Sequence, residues 1–166
     1  RRCGWFIYAP HRTYWPIMSA ALTLAAPEHF EKVDALVAAF HLEIGLNVPE
    51  NTRKSALVPL LDGIPHGAVY LIGPPRAPIG YVIITFGWSV EFGGMDGFID
   101  EIYVRPAIRK RGIASETLMT LPQALAGAGL KALHLEVDRK NPQTQDLYRK
   151  CGFSDRDDML TMTRRF

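Results

Sequence analysis

The sequence predicts one mixed α/β domain, and three observations carry that prediction. A helical stripe of apolar residues lies near position 30, three runs rich in Val, Ile, Tyr and Phe lie between positions 68 and 104, and strand and helix patterns alternate after them. A length of 166 residues, 48% hydrophobic and 22% charged, suits a single globular domain with a full core. The same fractions exclude a disordered tail and a coiled coil.

Residues 1–17 read as an N-terminal extension, upstream or not native, because the chain opens at Arg1 and a better-patterned sequence begins at Met18. No chemistry is assigned to them, and residues 18–166 form the domain. Over 28–41, Phe30, Val33, Leu36, Val37 and Phe40 recur at three- and four-residue spacing, which predicts a helix with one buried face. A weaker helix over 52–61 is interrupted by Pro59, and Asp62, Gly63 and Pro65 mark the turn after it. Strands follow at 68–72 and 79–86, separated by Gly73, Pro74, Pro75 and Pro78. The Gly93, Gly94 and Gly97 cluster then turns the chain into a strand at 98–104, which stops at Arg105 and Pro106. Gly112 switches the pattern to a helix carrying Ile113, Leu118 and Leu121, with a kink or break expected at Pro122. After Gly127 and Gly129 come a strand at 132–137 and a helix opened by Asn141 and Pro142 and closed by Gly152, an arrangement that suits both helix ends. A hairpin of 153–155 and 159–163 around Asp157 and Asp158 is expected to end the fold.

Charge narrows the function. Basic residues number 19 against 17 acids, but Arg1, Arg2 and Arg12 precede the first acid, so the body is close to neutral. A nucleic-acid or membrane-surface binder needs a broad basic face, and neither partner is expected. The uncharged run 13–27 is broken by Pro16 and Pro27 and is shorter than the roughly 20 residues of a spanning helix. The opening is also a poor secretory signal, so the expected location is cytoplasmic. Cys3 and Cys151 are too few for a disulfide framework and are read as free thiols. His11, His29, His41, His66 and His134 lack metal-ligand spacing, so no metal is expected.

Chemistry concentrates where the strand ending at Val104 gives way to a helix. Arg109, Lys110, Arg111, Gly112, Ile113, Ala114 and Ser115 place a glycine and outward-pointing amides at a helix start, the makings of a phosphate cradle. Each charge-assisted bond to an anion contributes about 1.5–3 kcal/mol and the helix dipole only about 0.3–1 kcal/mol, so several amides together dominate. Neither a Walker loop nor the G-x-G-x-x-G fingerprint is present. Taken alone, the four basic residues of 105–111 are equally a solvated loop.

Two motifs in order decide between these readings. Arg109-x-x-Gly112-x-Ala114, following FIDEIYV, resembles the acetyl-CoA pyrophosphate motif R/Q-x-x-G-x-G/A of the GCN5-related N-acetyltransferase (GNAT) superfamily. LEVDRKNPQTQDLYRKCGF resembles that family's next strand and helix, with Asn141, Leu147, Tyr148, Gly152 and Phe153 at matching places. The resemblance implies the GNAT fold, a twisted, mixed, mostly antiparallel sheet of six to seven strands flanked by about four helices. It implies acetyl-CoA as cosubstrate in a notch between the strands ending near Val104 and Val137. Ile102, Tyr103 and Val104 would then hold the pantetheine, residues Arg109 to Ser115 the pyrophosphate, and Asn141 the cofactor arm, a role compatible with capping a helix.

The expected reaction is direct transfer of acetyl to an amine of a small molecule or peptide. At pH 7, removing the proton of a lysine-like amine costs about 4–5 kcal/mol, so a proton acceptor is expected among Asp100, Glu101 and Glu136. Strand alternation puts Asp100 and Glu101 on opposite faces, and Glu101 ranks first, Glu136 second. Tyr148 is the expected donor of a proton to the CoA thiolate, and Cys151 is read as packing rather than as a nucleophile. Trp88, Phe92 and Tyr103 are weighed as pocket walls, and His41, Glu43, Asn47, Trp88 and Glu91 fall where the family binds acceptors. Competing readings are a catalytically silent acetyl-CoA sensor and, against the neutral body, a nucleic-acid contact through RPAIRKR. Monomer and homodimer both stay open.

Overall fold

A computed structural model describes residues 21–157 and 159–165, so the expected extension lies outside the described residues. Five strands, β1 (Leu22–Leu24), β2 (Gly67–Ile72), β3 (Gly80–Ser89), β4 (Gly94–Val104) and β5 (Ala132–Leu135), form one sheet in chain order. The first four are antiparallel neighbours, and β5 runs parallel to β4. Helices α1 (Phe30–Glu43), α2 (Glu50–Leu61), α3 (Ile113–Gly127) and α4 (Pro142–Lys150) complete the layers. The mixed, mostly antiparallel sheet and the four helices agree with the expected fold, with five strands among the described residues where six to seven are expected.

Alternation along β3 explains the two cores. Tyr81 and Ile83 face α1 and α2, where Val33, Leu36 and Leu57 are buried against them. Val82 and Ile84 face the other way, against Leu118, Leu121 and Leu125 of α3. α1 is tied to α2 by a fork: Arg53 donates to both oxygens of Asp34, at 2.9 and 3.2 Å, and also to the Val48 carbonyl. Pro59 and Pro122 remove one amide donor each, yet α2 and α3 run through them, because buried Leu57 and Leu61, and Leu118, Leu121 and Leu125, hold the turns on either side. No helix among the described residues is long and apolar enough to cross a membrane.

Three further features differ from the sequence-based expectation. Gly94 and Gly97 lie inside β4 rather than before it, and a Cβ on Gly97 would come within 3.1 Å of the Leu133 side chain, so this glycine permits close strand approach. β1 had no expected counterpart; it is three residues long and pairs with β2 from Leu22↔Ile72 to Leu24↔Tyr70. The closing hairpin is not formed among the described residues 153–157 and 159–165. Met159, Leu160 and Met162 are 57%, 80% and 87% exposed, and a ribbon without a buried face is at best marginal.

One irregularity positions the site. Ile83 pairs with Glu101 and Ile84 with Ile99, which leaves Asp100 as the extra residue of a bulge in β4. Pairing of β4 with β5 ends at the same level, at Ile99↔Leu135. Beyond it, no described strand flanks the outer edge of β4.

Leu36 is fully buried beneath the sheet. Leu36→Ala is expected to lower unfolding stability by about 2–5 kcal/mol, read from the denaturant midpoint at constant slope.

Candidate active site

Past the bulge, Ile102, Tyr103 and Val104 carry β4 alone on its outer side, and the chain then turns through a short 3-10 turn, Pro106–Ile108, toward α3. Two residues of the next loop take the left-handed conformation, Lys110 at φ 63° and Gly112 at φ 81°. At Gly112 a Cβ would meet nothing within 4 Å, so the space beside this backbone is open. No side chain caps α3, and helix geometry leaves the first amides, those of Ile113, Ala114 and Ser115, without partners four residues back. Donors left unpartnered by the helix at its start, beside an open glycine turn, fit an anion.

Arg109 is turned toward the end of α1. Its guanidinium grips both oxygens of Glu43 at 2.7 Å, its Nε donates to the Val104 carbonyl at 2.7 Å, and it lies 5.4 Å from the Tyr103 ring centroid. This Arg109 hydrogen bond holds the Glu43 carboxyl below its ordinary range. Arg109 therefore fastens the loop to the end of α1, and the exposed Lys110 and Arg111 are the cations left beside the amides. Asn141 caps α4, its Oδ1 accepting from the Thr144 amide at 3.1 Å, which leaves its Nδ2 hydrogens to meet a ligand.

The three expected carboxylates have unlike surroundings. Glu101 is committed: Tyr81 donates to Oε2 at 2.5 Å, and His41 Nε2 lies 2.6 Å from Oε1. Burial, and next the charge of Glu101, push the Tyr81 phenol far above its usual range. His41 is 7% exposed, and its Nδ1 is buried without a partner. Asp100, on the bulge, has its carboxyl raised by desolvation first and then by the charges of Glu101 and Glu136, with His41 opposing. Glu136 is exposed, just beyond the end of β5.

Tyr148 is half-buried on α4, with its ring 6.0 Å from that of Phe153 and edge-on to it. Burial raises its phenol, followed by the neighbouring Cys151, so the proton is held at neutral pH. The Cys151 thiol is raised by burial as well and points to the Ser115 carbonyl at 3.8 Å, an inert setting. Tyr148 and Glu136 line one groove of about 1510 Å³ with Phe98, His134 and Phe92. Of the other aromatics weighed for a pocket, Tyr103 belongs to the core and Trp88 is 79% exposed. Glu91 pairs with Arg156 at 3.2 Å, and His41 and Glu43 are engaged as described. The anchors Tyr81, His41 and Glu43 lie 20, 60 and 66 residues from their partners, separations at which no local pattern signals contact.

The family model described as "Acetyltransferase (GNAT) family" matches residues 23–153. Thialysine N-epsilon-acetyltransferase of Bos taurus is 31% identical over 85 residues, which are 50% of this chain and 49% of that protein, so the match spans about half the length of that relative. An integron cassette protein from the mobile metagenome of Cole Harbour Salt Marsh is 27% identical with a TM-score of 0.78, over 92% of this chain and 95% of that one. AAC(6')-Iy in complex with the bisubstrate analog CoA-S-monomethyl-acetylneamine is 15% identical with a TM-score of 0.71, over 88% and 98%, a likeness of fold alone.

An acid whose pKa is raised on folding favours the native state below its ordinary range, and that contribution is lost as pH rises through the raised value. Asp100→Asn is therefore expected to raise Tm at neutral pH and to leave it unchanged well below the carboxylate range, as paired thermal melts would read.

Proposed function

We propose, because the chain belongs to the acetyltransferase (GNAT) family, that it moves the acetyl group of acetyl-CoA to a primary amine of a small molecule or peptide within one ternary complex. The observation that carries this reading is the unpaired edge of β4 beyond Ile99, with the open Gly112 turn at its far end. Pantetheine amides would extend along Ile102, Tyr103 and Val104 as a strand adds to a free edge. The pyrophosphate would sit on the amides of Gly112, Ile113, Ala114 and Ser115, with Lys110 and Arg111 outside and the Asn141 amide on the cofactor arm. Arg109 serves here as the brace that holds the turn to Glu43.

The acetyl group would lie where the strands part, near Asp100, Glu136 and Tyr148. Asp100 and Glu136 favour an ammonium there, and the fixed Glu101 carboxylate adds its field from behind the bulge. The acceptor nitrogen, once neutral, forms the C–N bond as the C–S bond breaks, and Tyr148 donates its proton to the leaving thiolate. The phenol is refilled from the product nitrogen through water. The inert setting of Cys151 speaks for this direct route over an acetyl-enzyme.

Thiol release is to be followed with spermidine, free lysine, an aminoglycoside and a tripeptide. Turnover with at least one supports the reading, and heat of acetyl-CoA binding with no turnover by any of them would favour a silent sensor. Tyr148→Phe is expected to lower kcat by about 10²-fold or more and to leave acetyl-CoA affinity unchanged in calorimetry. Gly112→Asp, which places a carboxylate in the cradle, is expected to weaken CoA binding by about 10-fold or more.

A further inference from the structure

Resting on that transferase reading, we propose that His134, oriented by Asp96, takes the first proton from the acceptor amine. The two side chains stand on neighbouring strands and on the same sheet face: His134 pairs in register with Phe98, two residues from Asp96. Higher up, that face is covered by α1 and α2. Below the bulge His134 and Phe98 line a groove that runs round the outer edge of β5, and Glu136 and, from the α3 side of the sheet, Tyr148 line the same groove.

The geometry resembles a positioned base. His134 Nε2 lies 3.7 Å from Asp96 Oδ2, with the two side chains 29% and 24% exposed. The Phe92 ring packs against the imidazole, with centroids 5.3 Å apart. Asp96 is itself held by a missing side chain: a Cβ on Gly87, its partner on β3, would come within 2.7 Å of Asp96 Oδ1. The carboxylate thus rests over a bare stretch of strand with its other oxygen toward His134. Nε2 faces Asp96 at ion-pair distance, and in the proposed role Nδ1 would take the proton. Of the two acids ranked first from the sequence, Glu101 has both oxygens engaged and Glu136 is exposed. An imidazole is a better match to an ammonium proton than a carboxylate of ordinary basicity.

The protons balance. His134 accepts one from the ammonium and returns it to solvent, and the second leaves the nitrogen after attack, reaching the CoA sulfur through water and Tyr148. The other charged residues of the groove, Glu136, Arg139, Asp157, the Glu91–Arg156 pair and the Arg149–Asp155 pair, make no described contact with the imidazole.

The test compares wild type, His134→Ala and Gly87→Ala for thiol release with the four acceptors named above, with acetyl-CoA affinity measured by calorimetry as the control for folding. His134→Ala is expected to lose about 10²-fold in kcat at unchanged acetyl-CoA affinity and to recover part of it in added imidazole. Gly87→Ala, which displaces Asp96, is expected to lose less in the same direction, without rescue. Wild-type turnover in His134→Ala, or a loss that imidazole leaves untouched, overturns the assignment while the transferase reading stands. A wild type that binds acetyl-CoA and acetylates none of the four overturns both.

Discussion

The departure of β5 from β4 at Ile99 is the constraint on which the rest of this molecule turns. A parallel strand pair normally satisfies backbone donors and acceptors on both sides, and unpaired edge groups are a liability that proteins cover or fill. Here the bulge at Asp100 twists β4 away just where pairing with β5 stops, and the exposed edge runs straight to a left-handed glycine and the start of α3. The same extra residue changes which side chains face which core. Above it Glu101 and Tyr103 point toward α1, and below it Ile99 points toward α3.

The helices serve that opening. α1 crosses the sheet so that His41 reaches Glu101 and Glu43 reaches Arg109, which means that one helix fixes both the carboxylate behind the bulge and the loop beyond it. α4 brings Tyr148 to the other side, and Cys151 and Leu147 pack it toward α3. A half-exposed ion pair such as Glu43 with Arg109 contributes little global stability, so its weight is in holding the loop. Buried Tyr81 and His41 on Glu101 place a network that is costly to leave incomplete right beside the bulge.

Much of this was legible in the sequence where a local pattern carries the physics. The stripe from Phe30 to Phe40, the Asn141–Pro142 opening of the last helix and Gly112 before Ile113 all read correctly, because each rests on neighbours within one turn. The two ordered motifs around Arg109 and Tyr148 made the family legible. What escaped depends on distant pairing. Gly94 and Gly97 looked like a turn because nothing local says that Leu133 will approach, and Met159 to Thr163 alternated like a strand yet bury little. Strict alternation set Asp100 against Glu101, and only the register with β3 reveals the bulge that separates their surroundings. The bidentate partner of Arg109, Glu43, lies 66 residues away, and no local pattern announces that pairing.

The account stands or falls on where coenzyme A touches the chain. Backbone amide spectra of the labelled protein titrated with CoA would report this residue by residue. The largest shifts are expected at Ile102 to Val104 and at Gly112 to Ser115, with little change at β1 or β2. Shifts concentrated elsewhere, or none at saturating CoA, would contradict the edge-and-turn site.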